Sequence, residues 1–183
     1  MILTETHISG VFIGQSEPII DQRGRFTRLF CLDSLRLAHK GRPITQINYS
    51  MTRSVGAIRG LHYQTYPAAE SKWVRCLKGR VFDVAVDLRS GSPTLMQWLA
   101  IELSADKTNC LLIPEGCAHG FQVLEPDSEL LYLHSVSYAP RYERGVRWND
   151  PQIGVEWPLP PADISARDRE HPLLTDDFEG IAF

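Results

Sequence analysis

The feature that most constrains this chain is its rhythm. Short segments of alternating apolar and polar residues recur along it, each broken by Gly or Pro, with no long helical stretch between them. Alternation places successive side chains on opposite faces of a strand. In residues 81–88, Phe82, Val84, Val86 and Leu88 take one face, and Asp83 and Asp87 take the other. A turn at Gly91-Ser92-Pro93 leads into 94–103, where Leu95, Leu99, Ile101 and Leu103 share a face with one polar member, Gln97. Further strands are expected at 10–13, 25–30, 44–50, 57–64, 72–78, 110–113, 120–124 and 129–137. Strand after strand without crossover helices predicts antiparallel sheets in a β-sandwich or barrel, not βαβ units. Two short helices are expected, one capped by Asp33 through 34–39 and one capped by Ser165 through Arg169. From Tyr138 onward Pro and Trp accumulate, which predicts an irregular tail packed against the sheets.

At 183 residues the chain fits one domain, 1–183. A composition 43% hydrophobic and 22% charged is that of an ordinary globular protein. No stretch approaches the ~20 apolar residues of a membrane span. A net charge of −3 argues against nucleic-acid binding, yet leaves room for a local basic pocket that holds a small anion. Cys31, Cys76, Cys110 and Cys117 form no C-x-x-C pair and read as reduced thiols. With no basic, apolar leader at residues 1–5, the expected location is the cytoplasm. No dinucleotide fingerprint, phosphate loop or Gly-x-Ser-x-Gly elbow is present.

Four segments carry side chains capable of chemistry. Arg59-Gly60-Leu61-His62-Tyr63-Gln64 combines an anion binder with a proton carrier, although strict alternation sets Arg59 and His62 on opposite faces. They share a pocket only if the strand is bulged, and Gly60 is the place for it. Lys72, opening the next strand, would ordinarily be a solvated edge residue. His119 follows the turn at Pro114-Glu115-Gly116, and Tyr132 shares a face with Leu130, His134 and Val136. A Tyr on such a face is ordinarily core, with its hydroxyl reaching a partner. Metal is not expected: His62 is followed by Tyr63 and Gln64 rather than a second His, and His119 and His134 lack a carboxylate at ligand spacing.

Taken in order, the motifs resemble one family. They are Asp21-Gln22-Arg23-Gly24-Arg25-Phe26, Ile58 through Gln64, Gly79 through Arg89 with Ser92-Pro93-Thr94, Ile113-Pro114-Glu115-Gly116 with Ala118-His119-Gly120-Phe121, Tyr132, and Glu143 through Pro151. The set is similar to the dTDP-4-dehydrorhamnose 3,5-epimerases, which act on a nucleotide-linked 4-keto-6-deoxyhexose. The resemblance implies an all-β, cupin-type jelly roll with short peripheral helices, no cofactor and a homodimer. It implies that His62 is the base, Tyr132 the acid, Asp168 the carboxylate supporting the His, and Lys72 the cation at the enolate oxygen. Arg23, Phe26, Arg28, Gln46, Asn48, Arg59, His119, Tyr138, Glu143 and Arg167 are implied to hold the nucleotide sugar.

The residue types suit that chemistry. A C4 carbonyl acidifies the hydrogens on C3 and C5, so a base on one face and an acid on the other invert a centre through an enolate. Neutral imidazole, with a reference pKa near ~6.5, suits the first step. A fixed cation stabilises the developing oxyanion. The chain departs from the family's usual residues at Arg28, Ile47, Cys117 and Leu133, which bears on the base or sugar preferred. Epimerisation at one position only, a non-catalytic sugar-nucleotide-binding cupin and a metal-dependent cupin oxygenase are the alternative readings.

Overall fold

The computed structural model describes residues 1–35, 38 and 41–182. Among these the strands run β1 (Ile2–Glu5), β2 (Phe12–Gln15), β3 (Ile19–Asp21), β4 (Gly24–Phe26), β5 (Gln46–Thr52), β6 (Ile58–Gln64), β7 (Lys72–Lys78), β8 (Arg80–Asp87), β9 (Trp98–Ser104), β10 (Asn109–Ile113), β11 (Cys117–Val123), β12 (Ser128–His134) and β13 (Glu143–Gly145). Two helices accompany them, α1 (Leu32–Leu35) and α2 (Ala166–Glu170).

The strands form a six-stranded sheet, β1-β2-β10-β7-β12-β5, facing a five-stranded sheet, β13-β6-β11-β8-β9. Every pairing within them is antiparallel. From β5 to β8 the chain changes sheet at each connection, so most hydrogen-bonded neighbours are distant in sequence. The result is the expected jelly roll of the cupin type. Strands β3 and β4 form a separate hairpin, every residue of which is exposed.

Apolar faces fill three layers. Between the sheets, Val74, Leu111 and Leu130 of one meet Val81, Ala85, Leu103 and Phe121 of the other. Behind the five-stranded sheet, Val84, Val86 and Leu88 are covered by Val146, Ile153, Trp157 and Phe178 of the tail. Behind the six-stranded sheet, Trp73, Leu112 and Leu133 are covered by Met1, Leu3 and Phe30. Strand β8 is therefore buried on both sides, and its Asp83 and Asp87 point into the protein with no exposed surface.

Several expected boundaries shift. The run 94–103 becomes a strand only at Trp98, because 92–97 form a turn whose Ser92 and Thr94 hydroxyls bond Asp87 Oδ2, each at 2.6 Å. The segment 25–30 contributes only the short β4, and β12 stops at His134 instead of reaching 137. Strands β1, β3 and β13 were not anticipated; β1 and β13 are sheet edges that depend on a partner strand rather than on internal alternation. Asp33 lies inside α1 rather than capping it, and the expected continuation at 36, 37 and 39 falls outside the described residues. At α2 the sequence expectation holds: the Ser165 hydroxyl accepts the Asp168 backbone N–H at 3.0 Å.

Candidate active site

One end of the interior is not filled by aliphatic side chains. There the sheets part around a cavity of about 1200 Å³ whose walls carry His62, Lys72, His119, Tyr132, His134 and Asp168.

The first wall begins with β6. Its pairing with β11 slips between His119↔His62 and Phe121↔Arg59, so Gly60 and Leu61 of β6 face the single Gly120. This is the expected bulge, and it lets both Arg59 and His62 line the cavity. Only glycine serves at position 60: its φ is +119°, and a Cβ there would lie 2.6 Å from the Gly120 Cα.

The tail then delivers the carboxylate. Gln122 of β11 bonds the Leu159 backbone in both directions, at 2.9 and 3.0 Å, and the Ile58 N–H bonds the Ala162 carbonyl at 3.3 Å. The chain enters α2 directly over β6. Asp168 Oδ1 lies 2.7 Å from His62 Nε2, and its Oδ2 accepts the Gly60 N–H at 3.2 Å. Burial works to raise the Asp168 carboxyl, but the His62 and Gly60 bonds with the nearby Arg167 charge hold it below its ordinary value. The carboxylate, at the shorter distance, claims the hydrogen on Nε2; Arg167 Nη2 is a donor 3.3 Å from the same nitrogen, while Arg167 Nη1 bonds Glu143 at 2.9 Å. Among the described residues nothing bonds His62 Nδ1, which keeps the basic lone pair.

The facing wall comes from the other sheet. The Tyr132 hydroxyl on β12 meets the Ser50 hydroxyl on β5 at 3.1 Å. Burial pushes that phenol well above its ordinary pKa, with Ser50 opposing, so the group keeps its proton. Lys72, expected as an edge residue, sits on a central strand with 8% of its surface exposed. Its Nζ donates to the His62 carbonyl at 3.4 Å and pairs with Glu70 at 3.2 Å. Hence Lys72 bridges the two walls.

At the mouth, Arg59 Nε bonds Thr52 Oγ1 at 2.9 Å, and Tyr138 OH donates to Glu143 Oε2 at 2.6 Å. Asn48 lines the cavity, and Gln46 supports it from the side, its Nε2 donating to Asn48 Oδ1 at 2.9 Å. Three expected residues are not brought here. Arg23 and Phe26 lie on the projecting hairpin, where Arg23 pairs with Asp21 and Phe26 is 69% exposed, and Arg28 is exposed beyond it.

Sequence reasoning missed the partners of two histidines. His119 Nε2 lies 3.0 Å from Asp83, and His134 Nδ1 lies 2.7 Å from Glu70. Spacing along the sequence does not reveal these partners, because the carboxylates come from other segments: register sets Asp83 opposite Phe121, beside His119, and Lys72 opposite His134. Ligating atoms of His62, Asp168 and His171 also converge within 4.8 Å. Arg167, 3.3 Å from His62 Nε2 and 3.8 Å from Asp168 Oδ1, sets a fixed positive charge against a cation there.

The sequence model of dTDP-4-dehydrorhamnose 3,5-epimerase matches residues 5–176. The chain belongs to the dTDP-4-dehydrorhamnose 3,5-epimerase family. It is 42% identical to the Salmonella typhimurium dTDP-4-dehydrorhamnose 3,5-epimerase over 95% of this chain and 96% of that protein. The crystal structure of the Legionella pneumophila dTDP-6-deoxy-D-glucose-3,5-epimerase in complex with dTDP-4-keto-L-rhamnose superposes with a TM-score of 0.90, at 35% identity over 94% of this chain and 92% of that one. A 3′-monoepimerase from Streptomyces bikiniensis, in complex with dTDP-quinovose, superposes at 0.85, with 34% identity over 92% and 85%. In this epimerase the cavity is lined by the four side chains to which the resemblance assigns chemistry, His62, Lys72, Tyr132 and Asp168.

Proposed function

We propose that the protein inverts C3 and C5 of dTDP-4-dehydro-6-deoxyglucose, a dTDP-linked 4-keto-6-deoxyhexose, with no metal or organic cofactor. The observation that carries this is the placement of a base and an acid on opposite sheets across one cavity. His62 Nδ1, with Nε2–H committed to Asp168, takes the proton α to the ketone. Lys72 stabilises the enolate oxygen, and Tyr132, whose burial keeps it protonated, returns a proton to the other face of the carbon. Arg59, Asn48, His119, Tyr138, Glu143 and Arg167 line the space left for the nucleotide. The chain works as one domain in the cytoplasm, where its four cysteines, none in a disulfide, stay reduced.

A homodimer accounts for the residues the cavity leaves out. Arg23, Phe26 and Arg28 are exposed and do not line the cavity of their own chain, and in a second copy they would meet its nucleotide. Strand β5 offers an unpaired edge with Ile47 62% and Tyr49 58% exposed, which a second copy would cover.

The similarity to a 3′-monoepimerase supports a second reading, inversion at C3 alone. Incubation in D2O with NMR at C3 and C5 separates the two. Exchange and inversion at both carbons are expected, and inversion confined to C3 selects the second reading. Tyr132→Phe should lower net epimerisation about 10²–10⁴-fold while exchange at the first carbon outlasts it. Absence of exchange at either carbon in the wild-type enzyme would refute the reaction itself.

A further inference from the structure

Behind Lys72 lies a chain of hydrogen bonds in which a single backbone group fixes every donor and acceptor. It starts at the Tyr138 N–H, which has no choice but to donate, and which lies 2.8 Å from Gln46 Oε1. The Gln46 oxygen therefore faces Tyr138, and its NH2 donates to Asn48 Oδ1 at 2.9 Å. Asn48 in turn presents its NH2 to His134 Nε2 at 3.3 Å. A ring nitrogen that receives a hydrogen bond carries no hydrogen, so in neutral His134 the hydrogen sits on Nδ1 and donates to Glu70 Oε2 at 2.7 Å. Glu70 Oε1 then accepts from Lys72 Nζ at 3.2 Å.

Glu70 is nearly buried, its side chain 7% exposed. Burial works to raise its carboxyl, but the His134 bond and the Lys72 charge outweigh it and hold it below its ordinary value. It is thus an ionised acceptor with one oxygen committed to each neighbour. Of the three ammonium hydrogens on Lys72, one goes to Glu70 and one to the His62 carbonyl. The third is left for the cavity, where the enolate oxygen would form.

We propose that Glu70 and His134 are positioning residues that aim the Lys72 ammonium at that oxygen. The proposal rests on the reading of Lys72 given above. His134 is held in one tautomer by its neighbours, and its ring stacks against Tyr132 at 6.1 Å with 24° between planes. Among the described residues, the charged and titratable groups facing it are Glu70 and Lys72 from the β7 side and Tyr132 on its own strand, and from β5 it meets the neutral Gln46–Asn48 pair. A second proton on His134 would set Nε2–H against the Asn48 NH2, donor to donor, and the chain would come apart at that link.

The polarity of the chain makes the test specific. In His134→Gln the amide can still accept from Asn48 and donate to Glu70, whereas His134→Leu can do neither. Solvent exchange at C3 and C5 of dTDP-4-dehydro-6-deoxyglucose is measured for both variants, for Glu70→Gln, for Lys72→Met, and for each of the first three combined with Lys72→Met. Calorimetric binding of dTDP shows that the cavity is intact. His134→Leu and Glu70→Gln should lose about 10- to 100-fold in the exchange kcat with KM nearly unchanged, and His134→Gln should recover most of it. In the Lys72→Met background none of them should add a further loss, since they act through that lysine. Additive losses would overturn the proposal, as would a His134→Gln no better than His134→Leu. Should His134→Leu fail to bind dTDP, Glu70→Gln alone and with Lys72→Met gives the same comparison. A wild-type exchange rate in Lys72→Met would instead remove the role of the lysine, and that outcome is distinguishable from failure of the relay alone.

Discussion

Asp87 shows what one buried carboxylate does for this fold. It has no exposed surface, and it binds Arg89 through Nε at 2.7 Å and Nη2 at 2.8 Å, as well as the Ser92 and Thr94 hydroxyls. Burial works to raise its pKa, but these bonds outweigh it and bring the carboxyl from 3.8 down to about 2. A folded pKa below the unfolded one means that the unfolded chain takes up the proton first as pH falls. The stabilisation is therefore complete above pH 3.8 and is lost as pH falls through about 2. Its size is about 2 kcal/mol at neutral pH. Asp87→Asn should lower the urea-unfolding free energy at pH 7 by roughly that amount. It should also flatten the pH dependence of stability below pH 4; a variant with the wild-type acid slope would assign that slope to other carboxylates. The sequence showed an aspartate on the inner face of a strand, but not the arginine and two hydroxyls that make its burial tolerable.

Strand β6 and helix α2 work as one device. The bulge at Gly60 turns His62 toward the cavity, and the N–H of Gly60 bonds the same carboxylate that orients the His62 ring. A methyl group at position 60 would meet the Gly120 Cα at 2.6 Å and the His119 carbonyl at 2.7 Å, on a φ of +119°. Gly60→Ala should thus cost about 1–3 kcal/mol of stability and lower kcat more than it raises KM, because it shifts His62 against Asp168. Thermal unfolding together with steady-state kinetics checks this, and equal melting with intact turnover would show that the bulge can relax. Here the sequence was informative, since an Arg and a His three apart can share a face only through a bulge, and a Gly stood between them. The Ser165 cap of α2 was legible for the same local reason. The pairing of α2 with β6 was not, because Asp168 lies 106 residues from His62 and no spacing rule spans that distance.

On the scale of the molecule, the exposed β3–β4 hairpin carries Arg23 and Phe26 away from their own cavity. If a second copy receives them, two inactive proteins should repair one another. Mixing His62→Ala with the double variant Arg23→Ala, Phe26→Ala should restore up to roughly a quarter of the wild-type rate, since half of the randomly exchanged dimers are mixed and each holds one intact site. An inactive mixture that has exchanged subunits would confine the hairpin to a role outside the site. Alternation along 81–88 and 94–103 was enough to predict antiparallel sheets, because side-chain direction on a strand is a local property with a period of two. The motifs were enough to name candidates, of which His62, Lys72, Tyr132 and Asp168 line one cavity. Neither could show that Asp83 meets His119, that Glu70 joins Lys72 to His134, or that Lys72 lies on a central strand. Those contacts depend on register between strands far apart in the chain, and register is decided when two sheets close on a shared core rather than by any one segment.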